Sequence, residues 1–219
     1  MIHEITAAQI AQLNINQHRP LVICDVDEVI VHFTREFEEF LDGRGMELDF
    51  SAHTQFFAIS RYKHNQEPVG SKETGRVVDQ FFAERTLDMQ AIEGAIDSLQ
   101  NIARFADIVM LTNLPHEAGD DRRKNLQRHG LSFPVITNSG PKGPAVARIA
   151  SQVSAPVIFI DDSPGFIASA YEHAPNVHLI HFIQDERFGR MIMPLEFVSL
   201  RTDNWKDLHP HVLGLIAKS

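Results

Sequence analysis

Two acidic residues spaced by one, Asp25 and Asp27, close an apolar run, Leu21-Val22-Ile23-Cys24. Residues i and i+2 of an extended segment point the same way, so these carboxylates can converge on one spot. Two carboxylates held that close repel, and something must offset the charge. A hard cation such as Mg²⁺ does so, because oxygen ligands suit it. Alternatively, one carboxyl keeps its proton and serves as a general acid. Both hold together if one Asp binds metal and attacks while the other shuttles a proton. The bland alternative is a pair of acids that ends a strand in a loop.

The element that must position them is a strand. A run of Leu, Val and Ile with no polar alternation reads as buried on both faces, as a parallel sheet demands. In open α/β sheets the ligand site lies outside the carboxyl ends of the strands. Three more strands end in polar groups of complementary type. Ile108-Val109-Met110-Leu111 runs into Thr112 and Asn113. Pro134-Val135-Ile136-Thr137 leads through the tight loop Gly140-Pro141-Lys142-Gly143-Pro144 into a helix carrying Ala145, Val146 and Ile149. Pro156-Val157-Ile158-Phe159-Ile160 ends in the pair Asp161-Asp162, and Ser163-Pro164 opens the next helix.

The intervening segments read as helices. Thr6 and Gln9 suggest a capping box, and Ile5 with Ile10 has staple spacing. Ile92, Ala95, Ile96, Leu99, Ile102 and Ala103 share one helical face. Pro115 starts a polar helix that Gly130 stops. Val177–Ile183 reads as a fifth strand, and Trp205, Leu208, Val212, Leu213 and Ile216 as a closing helix packed on the sheet. Strands alternating with helices predict an α/β fold with a doubly wound, Rossmann-like parallel sheet.

The segment after the Asp pair breaks this rhythm. A connection between parallel strands needs only about a dozen residues, and this one is several times longer. Phe33, Phe37, Phe40 and Leu41 follow helical spacing, as do Val77, Val78, Phe81 and Phe82. Between them lies a loose stretch with Phe50, Phe56, Phe57 and Tyr62. The reading is a core over residues 1–32 and 91–219 and a small, mainly helical insertion over 33–90, placed to roof the site. Its aromatic stripe is expected to be the insertion's own core.

Composition narrows the function. The 219 residues are 43% hydrophobic and 22% charged, ordinary for a globular chain. A formal net charge of −9 disfavours a nucleic-acid polymer or an anionic membrane as partner. Cys24 is the single cysteine, so neither a disulfide framework nor a Cys-based zinc site can form. Twelve histidines include no H-E-x-x-H pattern, and none is assigned as a ligand. His116, close after Thr112, could edge the site. No stretch approaches a membrane span, and Met1-Ile2-His3-Glu4 lacks the pattern of a signal peptide. The expectation is a cytoplasmic protein; its oligomeric state stays open.

Four polar strand ends in this order resemble the haloacid dehalogenase superfamily of aspartate-nucleophile phosphatases. Its first motif, D-x-D-x-[TV], matches Asp25-Val26-Asp27-Glu28-Val29. Its second, an apolar strand ending in Thr or Ser, matches Met110-Leu111-Thr112-Asn113. Lys142 matches its third, and Phe159-Ile160-Asp161-Asp162 its fourth. Arg123, Lys124 and Arg148 compete for the cationic role, but Lys142 lies in the Gly/Pro loop just after a strand.

The resemblance implies roles. Asp25 would be the nucleophile that forms an aspartyl-phosphate, and Asp27 the general acid and base. Thr112, with nearby backbone N–H groups and Asn113, would hold a phosphoryl oxygen. Lys142 would balance the negative cluster. Asp25, the Asp27 carbonyl and Asp162, with Asp161, would hold Mg²⁺. An acid at position 27 argues for phosphate over carbon–halogen chemistry, since dehalogenase members lack it. The insertion would be a specificity-setting cap, with Arg44, His53, Arg61, Lys63, His64, Lys72 and Arg76 as candidate substrate contacts. The expected activity is Mg²⁺-dependent hydrolysis of a small phosphorylated metabolite or nucleotide. Phosphoryl transfer to another acceptor, or ligand binding without turnover, are the alternatives.

Overall fold

A computed structural model describes residues 2–50 and 60–217. His53, Phe56 and Phe57 lie outside the described residues. The strands are β1 (Leu21–Cys24), β2 (Met46–Leu48), β3 (Ser60–Tyr62), β4 (Asp107–Thr112), β5 (Val135–Thr137), β6 (Val157–Asp161), β7 (His178–Phe182) and β8 (Leu200–Thr202). Six of them form one parallel sheet in the order β5-β4-β1-β6-β7-β8. The chain winds outward from β1 through β4 to β5, then returns to β6 on the other side. The order therefore reverses at β1, and the crevice outside its carboxyl end is the place such sheets reserve for ligands.

Why the strands lack alternation is visible in their packing. Val22, Cys24, Ile108, Met110, Ile158, Ile160 and Phe182 face one buried layer. Leu21, Ile23, Val109, Leu111, Phe159 and Leu179 face the other. Successive side chains of a strand point to opposite faces, and here both faces are covered. Leu99 and Ile102 of α4 (Ala95–Ile102), Leu126 of α5 (Gly119–Arg128) and Trp205, Leu208 and Val212 of α9 (Trp205–Ile216) cover the first face. Ile10 of α1 (Glu4–Ala11), Val146 and Ile149 of α6 (Gly143–Ala150) and Ile167 and Ala170 of α7 (Pro164–His173) cover the second. This is the doubly wound α/β architecture that the sequence predicts.

Three local expectations change. The sheet gains a sixth strand, β8, preceded by the short helix α8 (Glu186–Met191). Three half-buried residues, Leu200, Arg201 and Thr202, carry too little pattern to be read as a strand. α1 begins at Glu4, capped by the His3 ring, which accepts the Ile5 N–H at 3.3 Å. Thr6 and Gln9 serve the edge strand β5 instead. Thr6 donates to the Thr137 carbonyl at 2.7 Å and Gln9 accepts the Thr137 N–H at 2.8 Å, satisfying groups that an edge leaves open.

Between β1 and α4 lie α2 (Phe33–Asp42), the antiparallel pair β2–β3, α3 (Ser71–Arg85) and a 3₁₀ turn, Thr86–Asp88. The ring of Phe81 meets Phe33, Phe37 and Phe40 edge-on at 5.1, 5.2 and 5.4 Å. That aromatic group is continuous with the first face of the large sheet. Among the described residues no helix is long and apolar enough to cross a membrane.

Candidate active site

Asp25 and Asp27 follow β1 on either side of the sheet's reversal, and each meets a different buried cation. The Lys142 ammonium lies 2.6 Å from Asp25 Oδ1 and 2.7 Å from Asp161 Oδ2, with both Lys142 and Asp161 fully buried. Lys142 arrives there because α6 starts directly after it. The following residue, Gly143, is required: a Cβ at that position would fall 2.1 Å from the Ser169 carbonyl oxygen of α7. Upstream, Gly140 takes a positive φ of 79°. Its carbonyl accepts from Asn113 Nδ2 at 2.8 Å and Asn138 Nδ2 at 3.0 Å, tying this loop to the end of β4.

Asp25, Asp161 and Asp162 offer carboxylate oxygens all within 4.8 Å of one another. Asp161 is fully engaged: Lys142 holds Oδ2, and the Ser163 N–H reaches Oδ1 at 2.8 Å. Asp25 Oδ1 also accepts the Val26 N–H at 2.7 Å. Asp162 Oδ2 is buried without a hydrogen-bond partner among the described residues. One ammonium thus faces three buried acids. Burial, opposed by Lys142 and reinforced by Asp161 and Asp27, lifts the Asp25 carboxyl to about 7. Asp162 is raised well above its ordinary value by burial, then by Asp161, Asp25 and Glu28. Burial pulls Lys142 down, but the charges of Asp161 and Asp25 outweigh it and hold the ammonium above its usual range. An orphaned buried carboxylate oxygen in an excess of negative charge is the donor set a hard divalent cation takes.

The β4 side differs. Thr112, fully buried at the end of β4, donates its hydroxyl to Asp27 Oδ2 at 3.0 Å. Arg122 of α5, also fully buried, donates Nη2–H to Asp27 Oδ1. The same guanidinium contacts Met89 Sδ at 3.3 Å and Asn125 Oδ1 at 3.4 Å. Asn125 in turn donates to the carbonyls of Leu87 and Met89 at 3.2 and 2.9 Å, where the insertion rejoins the core.

The turn after the two acids is held from several sides. The Val26 carbonyl accepts the N–H groups of Ile30 at 2.8 Å and Val31 at 3.0 Å. Glu28 sits at φ +59°, uncommon for a residue other than glycine. Its buried carboxylate accepts the Thr34 N–H at 2.6 Å, filling the role of a cap for the first turn of α2. The Trp205 indole N–H donates to the Val29 carbonyl at 2.9 Å. Beside Asp162, the fully buried His181 meets the Asp162 carbonyl through Nε2 at 3.0 Å. A carbonyl only accepts, so Nε2 carries the proton. Burial first, and Arg201 after it, lower His181 to about 4 despite that bond.

The structure therefore gathers Asp25, Asp27, Thr112, Lys142, Asp161 and Asp162 at one sheet edge, while Asn113 braces the loop that delivers Lys142. Arg122, Glu28 and His181 are the neighbours the sequence reading missed. His116 joins a different group: its Nδ1 lies 2.6 Å from the Thr137 hydroxyl and its ring 4.6 Å from that of His3. In the insertion, Arg44 pairs with Glu84 and covers the Phe40 ring, Arg61 pairs with Glu47, and Lys63 pairs with Asp42. His64 lies against the Tyr62 ring, and Lys72 and Arg76 are exposed.

No protein-family model matches the chain, and no curated protein matches it. Solved structures do. A HAD family hydrolase from Deinococcus radiodurans R1, with bound phosphate and sodium, is similar at 15% identity and a TM-score of 0.58, over 91% of this chain and 97% of that one. YfnB from Bacillus subtilis, bound to magnesium, is similar at 15% identity and a TM-score of 0.61, over 90% and 99%. The defluorinating L-2-haloacid dehalogenase Rha0230 is similar at 14% identity and a TM-score of 0.58, over 89% and 95%. At these identities the likeness is one of fold.

Proposed function

We propose, from the haloacid dehalogenase-like fold that this chain has, that it is a Mg²⁺-dependent phosphomonoester hydrolase working through an aspartyl-phosphate. The observation that carries the reading is the group Asp25, Asp161 and Asp162 around the single ammonium of Lys142, with Asp162 Oδ2 left unpartnered. Asp25 and Asp162 would hold the metal, with Asp161 acting through Lys142 and the Ser163 N–H. When bound, Mg²⁺ would screen the repulsion between an anionic carboxylate and an anionic phosphoryl group.

The chain's own residues account for the rest. Lys142 and the Val26 N–H occupy Asp25 Oδ1, which leaves Oδ2 to attack phosphorus. The Asp25 Oδ2–P bond forms, the bond from phosphorus to the ester oxygen breaks, and that oxygen takes the proton that Asp27 carries on Oδ2 once the Thr112 hydroxyl has turned to the phosphoryl group. Asp27 then takes a proton from water as the water oxygen bonds phosphorus. The Asp25–P bond breaks, and inorganic phosphate leaves. Thr112 and the N–H groups after β4 receive the phosphoryl oxygens. Displacement of halide from carbon needs no proton for the leaving group, whereas departure of an ester oxygen does. An acid at position 27 therefore favours phosphate. The insertion over 33–90 would act as a cap that admits a small phosphorylated molecule and excludes water.

Release of p-nitrophenol from p-nitrophenyl phosphate tests the reading. Turnover is expected with Mg²⁺, is expected to vanish on chelation, and is expected to fall by about 10³-fold or more in Asp25→Asn, which cannot form the intermediate. Metal-independent turnover, or turnover that survives Asp25→Asn, contradicts it. Added alcohols that divert phosphate into new esters would identify transfer instead of hydrolysis.

A further inference from the structure

We infer that Arg122 is a positioning residue that holds Asp27 for the second half of the reaction, hydrolysis of the aspartyl-phosphate. The inference rests on the phosphatase reading above. Among the described residues Asp27 has two holders, and one of them has a competing duty. Thr112 carries a single hydroxyl proton, which the structure spends on Asp27 Oδ2. A phosphoryl group bound at the end of β4 claims that same proton, and a hydroxyl donates to one acceptor at a time. Once phosphate is in place, the guanidinium on Asp27 Oδ1 is the holder that remains.

The geometry suits that task. Arg122 has no exposure, and its fork is bracketed by Met89 Sδ and Asn125 Oδ1, so it cannot swing away with solvent. A buried ion pair is weak ground for stability, because taking the charges out of water offsets their attraction. What a guanidinium offers over an ammonium is a rigid planar fork of fixed direction. With Oδ1 held, Oδ2 is the oxygen that takes the proton from the attacking water while the water oxygen bonds phosphorus and the Asp25–P bond breaks.

This role has a kinetic signature that a general packing defect lacks. The p-nitrophenolate ion leaves without a proton, so formation of the phosphoenzyme from p-nitrophenyl phosphate does not depend on Asp27. Only its hydrolysis does. Arg122→Met and Arg122→Lys are therefore expected to lower kcat and KM together, by about tenfold or more for Met and less for Lys, with kcat/KM nearly unchanged. Rapid mixing is expected to show a burst of about one p-nitrophenol per site before the slow phase. Arg122→Lys keeps the buried charge and so protects the fold where Arg122→Met does not. A crystal structure of either variant soaked with inorganic phosphate is expected to show the Asp27 carboxylate turned from its place beside Thr112. Wild-type kinetics in Arg122→Lys, or a loss of kcat/KM at constant KM without a burst, overturns the assignment. So does an Asp27 that stays in place in the phosphate-bound variant. Absence of turnover by the wild-type protein with Mg²⁺ overturns the phosphatase reading itself, and the role of Arg122 falls with it.

Discussion

On the β6 side of the central strand, three buried acids share one ammonium. On the β4 side, one acid has a guanidinium and a hydroxyl to itself. Asp25 and Asp27 are the same residue type, two positions apart, yet they sit in opposite charge regimes. The β6 side is short of positive charge, and the β4 side is closed. Among the described residues, one half of this edge gathers three acids that could hold a cation. In the other half a guanidinium and a hydroxyl hold a lone carboxylate.

Removing the shared ammonium is expected to have the largest effect. Lys142→Met leaves Asp25 and Asp161 buried without a counter-charge, and a broken buried pair costs about 3–5 kcal/mol. Chemical denaturation without metal is expected to show a loss of that order. Recovery with Mg²⁺ is expected to be partial, because the ion supplies charge but not the hydrogen bonds of Lys142.

A gentler test uses pH. Asp25 is lifted from 3.8 to about 7, so between those values the folded protein holds a proton that the unfolded chain has released. The stability this confers is complete below about 4 and is lost as pH rises through about 7, with a slope of at most about 1.4 kcal/mol per pH unit per group. The raised Asp161 and Asp162 act in the same direction. Metal-free protein is therefore expected to melt lower at pH 8 than at pH 5. The rise in Tm on adding Mg²⁺ is expected to be larger at pH 8, where the ion replaces the missing protons. Asp162→Asn sharpens the contrast: it should raise the metal-free Tm at pH 8 and flatten the response to Mg²⁺. A Tm that climbs from pH 5 to pH 8 without metal would contradict the charge excess on the β6 side.

The smallest effect comes from an exposed cluster. Arg187 bridges Glu38 of α2 at 2.7 Å and Asp185 at 2.6 Å and lies over the Phe50 ring at 4.2 Å. Half-exposed pairs are worth at most about 1 kcal/mol. Arg187→Ala is expected to shift Tm by a few degrees and to leave the Mg²⁺ response intact, unlike either buried cation.

The same contrast governs what the sequence could reveal. The β6 side was legible because each of its residues ends an apolar run or sits in a Gly/Pro loop. Asp25, Lys142, Asp161 and Asp162 thus announce their place by local pattern alone. Arg122 was not. It stands among Asp120, Asp121, Arg123 and Lys124, where charge gives no hint of which side chain turns inward. Its partner lies 95 residues away. One faint signal existed: Leu126, the one large apolar residue of α5, is four positions on, so Arg122 shares its buried face. Glu28 was hidden for another reason, since a left-handed backbone at a glutamate has no signature in composition. β8 and the β2–β3 pair, at three residues each, are too brief for any periodicity to register.

The hydrogen bond from the Trp205 indole to the Val29 carbonyl joins residues 176 positions apart. A ribosome makes the acidic turn 176 residues before this tether. Until Trp205 emerges, the turn that carries the two aspartates therefore lacks one of its anchors. Nascent chains and fragments that stop short of Trp205 carry the two carboxylates without that long-range tether.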